Sequence, residues 1–297
     1  MSYWKVATLL LGWAVLAGCS ATSATAENSL NNLLIATPQV ADDHYQLELA
    51  KLNEIISADN ENLDAEMMGE LLYRRGMLYD AVGLVTLSRI DFNRALEYQP
   101  RLADAYNYLG IHYSQVGQYE MAYEALDAAI ELEPEHPYAY LNRGVAAYYD
   151  NRFDLAYDDL DYFFQRNPND PYRALWRFFA AVEQDRSAAA HELAEAMILS
   201  DNEAWAWNLV KLFVNGIAEQ DFLSNYATLN MSEHETLAER LCEVYFYLGK
   251  YHQLQGNWQS AAVYFKLALA TNVHVFLEYR YAGVEMEWSQ YKAQQED

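Results

Sequence analysis

One spacing constrains this chain more than any other feature. Gly76, Gly110 and Gly144 stand 34 residues apart, and so do Pro100, Pro134 and Pro168. Between each glycine and its proline the same residue types return: Tyr79, Gly83, Phe92 and Ala95 in the first interval, Tyr113, Gly117, Ala122 and Ala129 in the second. The third keeps Ala156 but carries Asn151 and Phe163 where the others have glycine and alanine. Such a chain is built from stacked copies of one unit. Small residues recur where two helices of a unit approach closely, and Gly83 and Gly117 fall at the turn between them, where a positive φ is needed. The prolines end the second helix, since proline cannot continue one. A single unit cannot bury its own apolar face, so neighbours share a core. An ordinary helical bundle is the alternative, but bundles have no fixed period.

The period and its pattern resemble the tetratricopeptide (TPR) helix–turn–helix repeat. The resemblance implies an all-α chain folded as a TPR superhelix, with three repeats over 69–170. An N-terminal helix falls in 41–68, where Leu47, Leu49, Leu52, Ile55 and Ile56 give Asp43–Ser57 an apolar face. After Pro168 the signature fades, and 171–241 reads as degenerate helical repeats. Helices are expected over Pro171–Glu183, Ala188–Leu199, Ala204–Val214 and Glu219–Thr228, with turn signals at Asn215-Gly216 and Asn230-Met231-Ser232. Over 242–292 the pattern returns. Gly249, Gly256, Ala261, Phe265 and Ala268 mark a C-terminal repeat, and Val275–Gln290 a capping helix before the polar tail Ala293–Asp297.

The first 18 residues read as a signal peptide. Val6–Leu16 is an apolar stretch too short to span a bilayer. Leu16-Ala17-Gly18-Cys19 resembles the bacterial lipobox, in which the cysteine thiol takes a lipid and the chain is cut before it. An ordinary secretory signal with a chance cysteine is the alternative. Cys19 is the expected lipidation site and 19–40 the flexible tether behind it. Each buried CH₂ of an acyl chain contributes about 0.8 kcal/mol, so two or more chains anchor stably. Ser20 after the cysteine implies, by resemblance to bacterial lipoproteins, the outer membrane and a periplasmic face. Cys242 is then the other cysteine of the chain. It reads as a small buried hydrophobe with no disulfide partner.

The chain carries 43 acidic against 19 basic side chains, a net charge of −24. Nucleic-acid binding needs a basic surface, and so does polybasic docking on anionic lipid; neither is expected here. Contact with a membrane is expected through the lipid anchor alone.

No constellation for catalysis, metal or cofactor binding emerges. His191-Glu192 and His234-Glu235 begin like a zinc-protease motif but lack its second histidine. Asp158, Asp159 and Asp161 lack calcium-loop spacing and read as the solvated face of a helix. His112 and His252 read as packing or exposed helix positions. Trp176, Trp205, Trp207, Trp258 and Trp288 read mostly as core, with one or two as interface anchors.

A stack of this kind binds through its concave surface, lined by the first helix of each unit. With Gly76, Gly110 and Gly144 as position eight, positions five and nine point inward. They are Tyr73 and Met77, Asn107 and Ile111, and Leu141 and Val145, with Tyr148 nearby. This protein-binding groove has no Lys or Arg at those places, unlike carboxylate-clamp TPRs, and favours a hydrophobic or β-branched peptide. Cover by the chain's own N-terminal helix is the alternative.

Longer runs carry a closer resemblance. The lipobox is joined by Leu72-Tyr73-Arg74-Arg75-Gly76-Met77-Leu78-Tyr79-Asp80, Tyr106-Asn107-Tyr108-Leu109-Gly110-Ile111, Leu141-Asn142-Arg143-Gly144-Val145-Ala146, Asn167-Pro168-Asn169-Asp170-Pro171 and Tyr245-Phe246-Tyr247-Leu248-Gly249-Lys250-Tyr251. These resemble the NlpI family of bacterial outer-membrane lipoproteins; the tether after Cys19 and the C-terminal tail do not. The resemblance implies a homodimeric, non-enzymatic adaptor or scaffold. Its implied partners are a periplasmic tail-specific (PDZ) protease, a peptidoglycan endopeptidase presented to that protease, and other cell-wall hydrolases, with effects on cell-wall growth and division. A lipoprotein that assists outer-membrane protein assembly is the second reading. An enzyme built from scattered carboxylates in the irregular middle is the third.

Overall fold

The computed structural model describes residues 33–40, 43–58, 63–201, 203–226, 231 and 235–296. The signal segment, Cys19, most of the tether, His234 and the turn signal at Asn230 and Ser232 lie outside the described residues. The chain divides into two units, Met1–Ile35 and Ala36–Asp297. In the first, residues 33–35 are described and non-helical. Among the described residues of the second there is no strand, and fourteen helices follow one another. None of the described helices is long and apolar enough to cross a membrane.

After α1 (Asp43–Ser57) come three helical hairpins: α2 (Ala65–Ala81) with α3 (Val85–Tyr98), α4 (Ala103–Gln115) with α5 (Tyr119–Leu132), and α6 (Ala139–Tyr149) with α7 (Phe153–Gln165). The expected boundary at Gly69 falls inside α2, because Asp64 starts that helix by accepting a hydrogen bond from Met67 N at 2.8 Å. The glycines act by contact. A Cβ on Gly76, Gly110 or Gly144 would stand 2.4–2.8 Å from a side-chain atom of Phe92, Leu126 or Leu160, each sixteen residues on. The missing methyl group is what lets the two helices of each hairpin close. At the turns Gly83 and Gly117 have φ of 78° and 72°, and Asn151 takes the same left-handed conformation at 60°. Asparagine is the residue that replaces glycine there with least strain. Ion pairs follow the same interval: Arg75 with Asp91 and Arg143 with Asp159, both bidentate, and both aspartates are buried.

The next hairpin, α8 (Pro171–Val182) with α9 (Arg186–Leu199), keeps the hairpin shape without the glycines. Asp170 caps α8, with Pro171 in its first turn. Two short helices follow, α10 (Trp207–Phe213) and α11 (Glu219–Asn225). The expected helix from Ala204 begins only at Trp207, because 204–206 form a turn. A capping box between Thr236 and Glu239 opens α12 (Leu237–Leu254), which pairs with α13 (Trp258–Ala270). Here Gly249 meets the ring of Phe265, again sixteen residues on. The last helix, α14, runs Leu277–Glu296. The tail from Ala293 therefore belongs to this helix as far as Glu296, where Glu296 accepts from Trp258 Nε1 at 2.9 Å.

The superhelix closes on itself. Gln39 N donates to Thr271 O at 2.8 Å and Asn272 Nδ2 donates to Gln39 O at 2.7 Å, tying the extended segment before α1 to the turn after α13. His274 packs against Gly83, the turn of the first hairpin. Arg280 of α14 forms a bidentate ion pair with buried Asp80 of α2.

Candidate protein-binding groove

The first helices of the three hairpins, α2, α4 and α6, repeat their orientation every 34 residues. Tyr73, Asn107 and Leu141 therefore fall in one row and Met77, Ile111 and Val145 in another. Four of these six, Tyr73, Asn107, Ile111 and Leu141, line one cavity of about 400 Å³. The opposite wall comes from the C-terminal end of the chain, with Val275, Leu277 and Arg280. Met77 instead packs on the Phe92–Leu109 core cluster, and Val145 is fully buried. Tyr148 lines a different cavity, where its hydroxyl accepts from Lys250 Nζ at 2.8 Å.

The seven residues thus do not form one continuous groove, and the reason is α14. Tyr281 of this helix donates to Ser114 Oγ of α4 at 3.0 Å, and Glu285 accepts from Tyr149 of α6 at 2.8 Å. The Tyr149 and Tyr281 rings stack at 4.6 Å. It is the C-terminal helix that covers this face. The N-terminal helix α1 packs on α2, where Arg74 donates to Glu48 and Arg75 to Asn53, each at 2.9 Å. The 34-residue period carries no trace of α14, so sequence reasoning missed Val275, Leu277 and Arg280.

The open cavity is mixed in character. Asn142 Nδ2 donates to Asn107 Oδ1 at 2.8 Å, placing two amides side by side in its wall. His136 accepts from the backbone N–H groups of Tyr138 and Ala139 through Nδ1, at 3.2 and 3.0 Å. That network assigns its proton to Nε2, which donates to Asp104 at 3.1 Å. This hydrogen bond outweighs burial and holds the Asp104 carboxyl below the usual carboxylate range. Burial and the neighbouring Asp104 push the Tyr73 phenol well up, so it stays neutral. The groove was expected to lack Lys and Arg; α14 brings Arg280 to its wall, already paired with Asp80. Burial raises the Asp80 carboxyl, but the hydrogen bond from His112 and the charge of Arg280 outweigh it and keep it ionised below its ordinary value.

His112 is buried, its Nε2 donating to Asp80 at 2.7 Å, and His252 faces Glu219 at 3.1 Å. The aspartate cluster divides: Asp158 is exposed, but Asp159 pairs with Arg143 and Asp161 with Arg177. The solvated-face reading therefore holds for Asp158 alone. His191 and Glu192 part company, His191 pairing with Glu195 and Glu192 accepting from Tyr157. Trp176 and Trp207 are core, while Trp288 is 49% exposed. Cys242 is fully buried, and burial pushes its thiol well up, away from reactivity. Among the described residues no three His, Cys, Asp or Glu side chains are grouped to hold a metal ion.

Residues 103–136, which comprise α4, α5 and the loop after them, match the tetratricopeptide repeat family. Among solved structures the chain is similar to a tetratricopeptide repeat protein from Parabacteroides merdae, at 16% identity over 84% of this chain and 78% of that one, with a TM-score of 0.49. It is similar also to PilF of Pseudomonas aeruginosa, at 18% identity over 74% of this chain and 99% of that one, with a TM-score of 0.45. Yeast Tom70 matches at 15% identity over 96% of this chain and 67% of that one, with a TM-score of 0.42. The matched repeat is the α4–α5 hairpin, and the hairpins on either side share its glycine contacts and turn conformations.

Proposed function

We propose that the protein is an adaptor that holds a segment of a partner protein in the cavity between α4, α6 and α14 and performs no chemistry of its own. TPR repeats are protein-interaction scaffolds in general. The observation that carries the reading here is the cavity itself. Four residues on the concave helices, Tyr73, Asn107, Ile111 and Leu141, remain around about 400 Å³ that α14 leaves open. Apolar walls give affinity, and the Asn107–Asn142 amides offer hydrogen bonds to a peptide backbone.

The finer reading follows the family resemblance. The mature chain starts at Cys19, is held by lipid at the outer membrane facing the periplasm, and binds a tail-specific protease together with a peptidoglycan endopeptidase. Its contribution is effective concentration: substrate and protease on one scaffold meet as if linked. A homodimer doubles the docking faces.

The test is a degradation assay with the protease, the endopeptidase and this protein. Tyr138 and Val275 line the cavity and are exposed, so Tyr138→Ala and Val275→Arg alter its rim without disturbing the core. Faster loss of the endopeptidase when the protein is present, slowed by both variants, is the expected result. Unchanged loss with and without the protein sinks the protease reading. Acceleration that both variants preserve moves the docking site elsewhere.

A further inference from the structure

A second cavity, of about 410 Å³, opens further along α14, lined by Val284, Glu285 and Trp288 of that helix. Its size falls within the range of small-ligand sites, about 300–1,000 Å³, and suits one or two large side chains. The walls are aromatic: Tyr119, Tyr148, Phe153, Phe179 and Trp258 contribute rings from five different helices.

The charges beneath these rings neutralise one another. Lys250 Nζ donates to Glu285 Oε1 at 2.6 Å and to Tyr148 Oη at 2.8 Å, and it lies 4.9 and 5.1 Å from the ring centres of Tyr148 and Phe179. Glu285 also accepts from Tyr149 at 2.8 Å and from Gln253 at 2.8 Å, so both its oxygens are engaged. Lys250 and Glu285 are both buried. A charged group entering here would add an uncompensated charge beside a buried pair that already balances, which is unfavourable. An apolar or aromatic group needs no partner and meets ring faces. The mouth carries half-exposed Trp288, stacked on Tyr291 at 5.7 Å, the type of residue that dominates protein interfaces.

Glu183 is exposed in the lining, and Lys292 is held over the Trp258 and Trp288 rings. The chain as a whole carries −24. Such a field attracts basic segments and repels acidic ones.

We propose that this cavity is a second docking site, which takes a large apolar side chain, aromatic or leucine-like, from a protein segment with basic flanks. The inference deepens the adaptor reading and rests on it. It names the chemistry of one partner and separates that partner's site from the Tyr73–Leu141 cavity.

The test uses full-length protein in neutral detergent and three fluorescein-labelled pentapeptides: Lys-Lys-Phe-Lys-Lys, the same peptide with alanine for phenylalanine, and Glu-Glu-Phe-Glu-Glu. Binding is read by fluorescence anisotropy at low salt. The first peptide is expected to bind about tenfold more tightly than either of the others. Val284→Trp, which fills the cavity from α14, removes that preference; Val182→Trp fills it from α8 and covers the case in which the first variant misfolds. Val275→Arg, at the other cavity, leaves it unchanged. Equal binding of the phenylalanine and alanine peptides overturns the site, and so does full binding by both filled variants. Loss of binding in Val275→Arg alone also overturns it, while leaving the adaptor reading in place. Failure of the degradation assay with this peptide preference intact removes the protease partner and not the site.

Discussion

The hairpins themselves and the closing region, where α12 and α14 meet α2 and α6, solve the same packing problem by opposite means. In the hairpins each close approach is made by a small residue against a side chain sixteen positions on, as Gly110 against Leu126, and charges are paired at the same interval. In the closing region the approach is made by large aromatic and charged side chains across 100 residues or more: Lys250 to Tyr148, Glu285 to Tyr149, Arg280 to Asp80. The first kind of contact forms within one hairpin and is repeated. The second exists only once the stack has curved far enough for its ends to meet. A local rule builds the superhelix, and a set of buried polar contacts closes it. Closure by α14 is also what turns an open concave face into two separate cavities.

Breaking one polar contact should therefore hurt more than breaking one hairpin contact. Lys250→Met leaves Glu285 buried without its cation and is expected to destabilise the fold by about 3–5 kcal/mol, whereas the double variant Lys250→Met with Glu285→Leu recovers most of that loss. Urea unfolding measures both; a double variant as unstable as the single one would refute the ion-pair account. Leu126→Ala in the hairpin stack comes next, at about 2–5 kcal/mol depending on how far the site collapses. A Leu126→Ala variant whose loss exceeded that of Lys250→Met would reverse the ranking of the two regions.

Acidity sharpens the comparison. Burial and the charge of Glu278 hold the Glu243 carboxyl well above its ordinary value, and burial raises Glu278 as well. Raised carboxyls contribute stability that is fully present below the ordinary value of 4.5 and is lost as pH climbs through their folded values. Asp80 is shifted the other way. Its contribution is present above 3.8 and lost as pH falls through its depressed folded value. The melting temperature should accordingly peak in mildly acidic solution and fall on both sides. Glu278→Gln should flatten the decline on the neutral side, and Asp80→Asn the decline on the acid side. A melting temperature that climbs steadily from about pH 5 to about pH 8 contradicts the burial of the glutamate pair.

The smallest effect belongs to the turns. Asn151→Ala places a Cβ residue with no local hydrogen-bonding side chain at φ 60° and should cost about 1–2 kcal/mol, while Asn151→Gly should change stability by only a few tenths. Equal losses in the two variants would mean that the asparagine side chain, and not its backbone conformation, holds that turn.

Much of the fold was legible because its determinants are short-range. Glycine spacing identified the hairpins, and the departure at Asn151 proved to be a substitution that keeps the conformation. Legibility failed where contacts were not periodic. The start of α10 at Trp207 depends on a local turn, and the continuation of α14 to Glu296 depends on packing against Trp258. Of the concave positions, Tyr73, Asn107, Ile111 and Leu141 share a cavity, while Val145 is lost to the core and Tyr148 to a second cavity. Periodicity says which way a side chain points from its own helix. It says nothing of what arrives opposite.

By itself the sequence determined that this chain is helical, that it stacks hairpins of one length, and which residues meet within each hairpin. Those contacts recur at a constant interval and need no knowledge of the rest of the chain. Only the tertiary structure decided that α14 returns across the concave face, that Glu278 and Glu285 are buried there and Arg280 partly so, and that two cavities remain on that face. Those contacts arise from the accumulated curvature of the whole stack, a sum of small rotations at every helix interface that no single stretch of sequence encodes.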